Sequence, residues 1–207
     1  MASIIIGSLL LSIVHIIIPN HWLPIVVIAK SEKWKNKDLY YTTLLASLSH
    51  SVSTIGLGVF IGLVGLKLSQ TYEMVNHVIA PLILIFMGLI YFGLSNSHEH
   101  HDHFPHAENL HNKPKKRITF TLIGAMFLSP CLEIETYFFQ AGTFGFQGIF
   151  IVSLIYLLVS TFGMLGLVNL ARKGFDKFNL HFLEENEKKI TGIILILLGL
   201  VGFFIAE

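Results

Sequence analysis

Long runs of apolar residues alternate with short polar stretches throughout the 207 residues of this chain. Six runs approach the roughly 20 residues that an α-helix needs to cross a bilayer, at about 4–29, 40–66, 78–95, 120–141, 149–170 and 190–206. The pattern predicts an all-α integral membrane protein with six transmembrane helices. Two of the runs contain a proline set among polar residues: Pro19-Asn20-His21 in the first and Ser129-Pro130-Cys131 in the fourth. Proline removes a backbone donor and breaks a helix, so the first and fourth helices are predicted to be broken. The hydrophilic stretch 96–117 separates a first repeat of about 1–95 from a second of about 118–207, within a single transmembrane domain covering 1–207. With three spans each, the halves run in opposite orientations as a 3+3 inverted repeat. Paired interruptions at corresponding positions of such halves point to a transporter binding site.

Composition and charge sharpen this picture. Apolar residues make up 53% of the chain and charged residues only 13%, against about 25% charged in soluble domains. A net charge of +1 implies no nucleic-acid partner. The distribution of basic residues is more telling than their sum. Lys30, Lys33, Lys35 and Lys37 follow the first span, Lys113, Lys115, Lys116 and Arg117 precede the fourth, and Arg172, Lys173, Lys177, Lys188 and Lys189 lie between the fifth and sixth. Lys67 alone falls in the remaining loops. The positive-inside rule puts the three basic loops in the cytoplasm and both termini outside an inner or plasma membrane. Trp22, Trp34, Tyr40 and Tyr41 read as interfacial anchors around the first loop. The N-terminal run has no basic flank and no small-residue cleavage site, so it reads as a mature helix rather than a signal peptide.

The candidate chemistry lies inside the spans. His15 and His21 flank the first interruption, in a setting where a charged group costs about 2.5–3.5 kcal/mol and ordinarily lines a polar pathway. Imidazole is the commonest ligand for borderline metal ions, which makes these residues the first half of an intramembrane metal site. Ser47-Leu48-Ser49-His50-Ser51 in the second span supplies a third histidine, either a ligand oriented by neighbouring hydroxyls or an interhelical hydrogen bond. The fourth span adds Cys131, Glu133 and Glu135. Cys131 is a soft ligand or a small buried apolar residue. Glu135 shares its helical face while Glu133 points elsewhere unless Pro130 distorts the turn. The carboxylates need a cation, a proton or a water-filled vestibule, because no lysine or arginine lies within any span. Outside the spans, His98, His100, His101, His103, His106 and His111 crowd six of the eleven histidines into the loop between the halves. Such a tract binds transition ions loosely, as an auxiliary antenna. With one cysteine in the chain, an internal disulfide is excluded.

Taken in order, His15-x5-His21 with its proline, Ser49-His50, the histidine-rich loop and Pro130-Cys131 resemble the NicO-type nickel/cobalt transporters, members of the lysine-exporter-like superfamily. The likeness runs over nearly the whole chain. It implies transport of divalent nickel or cobalt, with His15, His21 and His50 as ligands and a three-plus-three inverted repeat. Ile18 departs from the acidic residue that efflux members of that family often carry before the proline. Glu133 and Glu135 have no counterpart in the pattern, and the related thiol-disulfide carriers need a second membrane cysteine that is missing here.

The functional expectation is therefore a non-enzymatic transporter of nickel or cobalt, with zinc an alternative ion. It would gather the ion from the cytoplasm and export it by alternating access, coupled to protons or to the membrane potential. A membrane accessory protein that delivers metal to a metalloenzyme or chaperone partner is the second expectation. The third, an intramembrane zinc hydrolase, lacks the HExxH signature and has no aspartate inside a span.

Overall fold

Two prolines decide where the helices around the centre of the molecule stop. In the computed structural model, which describes residues 1–72, 74–94, 114–173 and 180–205, every regular element is helical. Helix α1 (Ala2–Ile17) ends where Ile18 turns extended, at φ −63° and ψ 127°. The ring of Pro19 clashes with a helical backbone at the residue before it, which forces that turn. The chain re-enters a helix at α2 (Leu23–Ser31), with the Leu23 N–H donating to the Pro19 carbonyl at 2.9 Å. Pro24 sits in the first turn of α2, where a missing donor costs nothing.

The fourth apolar run breaks in the same manner. Helix α5 (Lys115–Phe127) gives way at residues 128–131 to α6 (Leu132–Thr143), and Cys131 caps α6 in an extended conformation, at φ −95° and ψ 110°. Both expected interruptions are therefore present. The other runs are continuous: α3 (Asn36–Thr71), a π-helical turn at Val75–Ile79 leading into α4 (Ala80–Leu94), α7 (Gly145–Arg172) and α8 (Leu180–Ile205). Helix α8 starts about ten residues before the apolar run at 190–206, because its Glu- and Lys-rich first turns are good helix formers that hydropathy does not register. The histidine-rich loop, His98 to His111, lies outside the described residues.

Helices α3 and α7 are long and apolar enough to cross a membrane. At 36 residues, α3 extends about 54 Å, well beyond a hydrocarbon core of about 30 Å. The outer surface agrees: Phe60, Phe86, Phe120, Phe146, Phe150 and Phe162 each expose 64–78% of their area, more apolar surface than a soluble monomer ordinarily presents. Polarity runs the opposite way on the inner face of α3, where Thr42, Thr43, Ser47, His50, Ser51 and Thr54 are buried.

Helix α3 packs against α5, α6 and α7, while α1 lies on α7 and α4 on α8. The approach of α3 to α6 depends on small residues. A Cβ at Gly142 would collide with the carbonyl of Gly62, and one at Gly62 would come within 3.2 Å of the Phe138 carbonyl. This is the close-packing role that the Gly58-x-x-x-Gly62 spacing predicts. At the other end of α3, polar contacts tie it to its neighbours. The Lys115 ammonium pairs with Asp38 at 2.7 Å, the Tyr40 hydroxyl donates to Asn169 Oδ1 at 2.7 Å, and Thr42 and Thr119 share a 3.0 Å hydrogen bond.

Gly142→Val should push α6 off α3 and cost about 1–3 kcal/mol, the usual penalty of overpacking. Thermal unfolding in detergent should show a lower midpoint for this variant. Gly124→Ala, where a Cβ meets open space, should not lower it.

Candidate metal centre

His15 and His21 are six residues apart, so a continuous helix would separate them by about 9 Å along its axis and point them to different sides. The break at Pro19 instead interrupts that helical spacing with a short run of turns and brings the ring centroids to 4.6 Å. His50, from the buried polar strip of α3, stacks on His15 at 5.7 Å with an interplanar angle of 11°, and its ring lies 4.6 Å from that of His21. Cys131, at the head of α6, closes the group. His15, His50 and Cys131 are buried and His21 is half-buried.

One atom from each of these four residues can serve as a ligand, and the four atoms lie within 4.8 Å of one another. The separations resemble the edges of a coordination polyhedron. Metal–nitrogen and metal–sulfur bonds of about 2.0–2.1 and 2.3 Å imply tetrahedral edges of about 3.3–3.4 Å between nitrogens and about 3.6 Å between nitrogen and sulfur. Here the Nε2 atoms of His15 and His50 are 3.4 Å apart. Cys131 Sγ stands 3.4, 3.7 and 3.3 Å from the Nε2 atoms of His15, His21 and His50. The group can hold a metal ion without substantial rearrangement.

The far sides of the rings fix which nitrogen faces the centre. His50 Nδ1 lies 3.2 Å from the Met126 carbonyl, which can only accept, so Nδ1 carries the proton and Nε2 presents its lone pair inward. His15 Nδ1 donates to Glu133 Oε1 at 3.3 Å, and Tyr91 donates to Glu133 Oε2 at 3.0 Å. A carboxylate behind a ligating imidazole holds its tautomer and orientation and raises its basicity. The carbonyl that receives His50 belongs to a larger arrangement. Toward the end of α5, where the helical ladder runs out, α3 adds side-chain donors, Ser49 to Ile123 and Ser53 to Phe127 as well as His50 to Met126, whose carbonyl also receives the Ser129 N–H at 3.4 Å.

The structure thus gathers His15, His21, His50 and Cys131 and leaves both carboxylates outside the group. Glu133 is the one that reaches it, from behind His15. The expectation that Glu135 rather than Glu133 shares a face with Cys131 assumed a helix running through Cys131. Because Cys131 is extended, the i,i+4 relation does not apply to it. Glu135 is buried on α6, and neither of its carboxylate oxygens has a hydrogen-bond partner among the described residues. Trp22 is not an interfacial anchor. The turn after Pro19 carries it inward, where it packs against an apolar cluster that includes Ile25, Met126 and Met164. The antenna histidines lie outside the described residues, and His77 is exposed.

Two tyrosines at the centre escape a reading of the sequence. Tyr156 of α7 is fully buried, with its hydroxyl 3.4 Å from His15 Nε2 and 3.1 Å from His50 Nε2. Its signal is a four-residue spacing of buried positions on α7, Gly148, Val152, Tyr156, Ser160 and Met164. Tyr91 near the end of α4 carries no comparable signal.

An all-helical chain with two bilayer-length apolar helices and a buried cluster able to hold a metal ion fits the class of metal-binding membrane proteins. No family model, curated protein or solved structure matches this chain.

With residues 98–111 deleted to silence the loop, His50→Ala or Cys131→Ala should lower cobalt or zinc affinity at least about 100-fold, read by competition with a chelating dye. Glu133→Gln should cost about 10–100-fold, as loss of the carboxylate behind a ligating histidine generally does. Affinity should fall as pH falls, because protons compete for the imidazoles and the thiolate.

Proposed function

We propose that this protein moves a divalent transition-metal ion across a membrane, the ion being its substrate. The observation that carries this reading is the convergence of three imidazoles and one thiol, drawn from both halves of the chain, at two helix interruptions. Transporters place their ligands at broken helices, where the backbone can rearrange. A site fixed for structural purposes has no need of that arrangement. The order of elements supports a 3+3 inverted repeat: a broken helix followed by two longer ones, α1–α2, α3, α4 and then α5–α6, α7, α8. The packing of α1 on α7 has its counterpart in that of α5 on α3, as a two-fold relation between the halves requires.

With the basic loops in the cytoplasm, both termini lie outside and the cluster falls near mid-depth. His50 is 14 residues from the start of α3 and 21 from its end, and Tyr156 is 11 and 16 from the two ends of α7. A mixed nitrogen and thiolate set suits zinc, cobalt and nickel, and the resemblance to the NicO-type transporters favours nickel or cobalt. The histidine-rich loop gathers ions on the cytoplasmic side, which favours efflux. No nucleotide-binding motif occurs in the sequence, so the drive is a proton gradient, the membrane potential or a partner. Cys131 fills the position that a zinc hydrolase keeps open for water, which speaks against catalysis.

Flux into proteoliposomes containing a fluorescent metal reporter is the test. The wild type should transport nickel or cobalt, His21→Ala and Cys131→Ala should abolish transport, and deletion of residues 98–111 should reduce it several-fold. Tight binding with no flux of nickel, cobalt, zinc or manganese would sink the transport reading and favour the delivery protein instead.

A further inference from the structure

We propose that Tyr156 is a fifth metal ligand, and that its hydroxyl sets the preference of the site between ions that accept five donors and ions that settle for four. The inference rests on the metal-binding reading above but not on transport. Three observations carry it. The Tyr156 oxygen stands 3.1 and 3.4 Å from two of the ligand nitrogens, the same spacing those nitrogens keep from each other and from Cys131 Sγ. It completes a second triangle on the edge between His15 and His50.

The second observation concerns hydrogen bonds. Both Nε2 atoms present lone pairs to the centre, so in the metal-free protein the Tyr156 O–H donates to one of them. An ion that takes those lone pairs leaves the phenol without that acceptor, and a buried hydroxyl without a partner is costly. Third, the side chains of Thr54 and Ser160 lie beside the phenol. Their buried hydroxyls make no hydrogen bond of ordinary geometry. The Tyr156 proton can turn to one of these oxygens while a lone pair on the phenol oxygen turns to the ion. The phenol then coordinates with its proton retained, and the one covalent bond lost on loading is the Cys131 S–H, whose proton is released to solvent.

Zinc has no electronic preference for geometry and is four-coordinate in nearly all closed sites, so it gains little from a fifth donor. Cobalt and nickel, with open d shells, gain more. Tyr156 therefore tilts the site toward cobalt and nickel.

The experiment is the visible absorption of the purified full chain with one equivalent of cobalt(II), in which thiolate-to-cobalt charge transfer marks ions bound at Cys131. The wild type should show the weak d–d bands of a five-coordinate ion. Tyr156→Phe should show the several-fold stronger bands of a tetrahedral one, and its zinc-over-cobalt affinity ratio should rise about tenfold. Cobalt K-edge absorption of the wild type counts the ligands without relying on the variant, should Tyr156→Phe fail to fold. Tetrahedral bands or four ligands in the wild type would overturn the proposal while leaving the four-residue site intact. No charge-transfer band at all would overturn the metal site itself, and the fifth ligand with it.

Discussion

The carbonyl groups at the broken end of α5 impose the constraint around which the centre of the molecule is organised. In an apolar setting every backbone polar group must find a partner within the protein, and at the break before Pro130 the ladder of α5 thins out, with the Ser129 N–H reaching Met126 only at 3.4 Å. Helix α3 answers with Ser49, His50 and Ser53, aligned along one side and donating to Ile123, Met126 and Phe127. That contact fixes the position of α3 beside the break and decides the orientation of the His50 ring. It also accounts for two of the hydroxyls, Ser49 and Ser53, that an otherwise apolar helix carries.

Each break in turn makes a chemical resource out of what would be a structural defect. At Pro19 the helix stops, and the turns that follow bring His21 against His15. At Pro130 the extended cap places a thiol at the start of α6, with a carboxylate two residues later in reach of His15. Neither arrangement is available on an uninterrupted helix. The surrounding glycines add to the assembly, since the close approach at Gly62 and Gly142 packs α6, which Cys131 caps, against α3, which carries His50.

Much of this was legible in the sequence, and the limits of legibility have physical causes. Prolines among polar residues in apolar runs located both breaks, and the histidines and the cysteine beside and between them are the four residues that the structure gathers. The respective roles of Glu133 and Glu135 could not be read from helical periodicity, which fails at a residue outside the helix. Trp22 looked like an anchor because its span leads into the lysine-rich first loop, yet the turns after Pro19 carry it into an apolar cluster. The Met126 carbonyl is a partner that no side-chain pattern reveals, because a backbone group becomes available only once the end of its helix is known. Tyr156 lies among leucines, isoleucines and valines, and its importance depends on α7 crossing both α1 and α3.

Glu133 has one more consequence, which concerns the ledger of charge. A coordinated cysteine is deprotonated outright, so a divalent ion and the thiolate leave one positive charge at the centre. Glu133, accepting on one oxygen from His15 and on the other from Tyr91, brings one negative charge through the imidazole that holds the ion. Two positive charges and two negative ones cancel, and the loaded centre is electrically neutral. An ion held there would meet little of the Born penalty that a bare divalent charge faces in an apolar interior. Electroneutrality of the loaded state is therefore built in by a carboxylate that never needs to touch the ion.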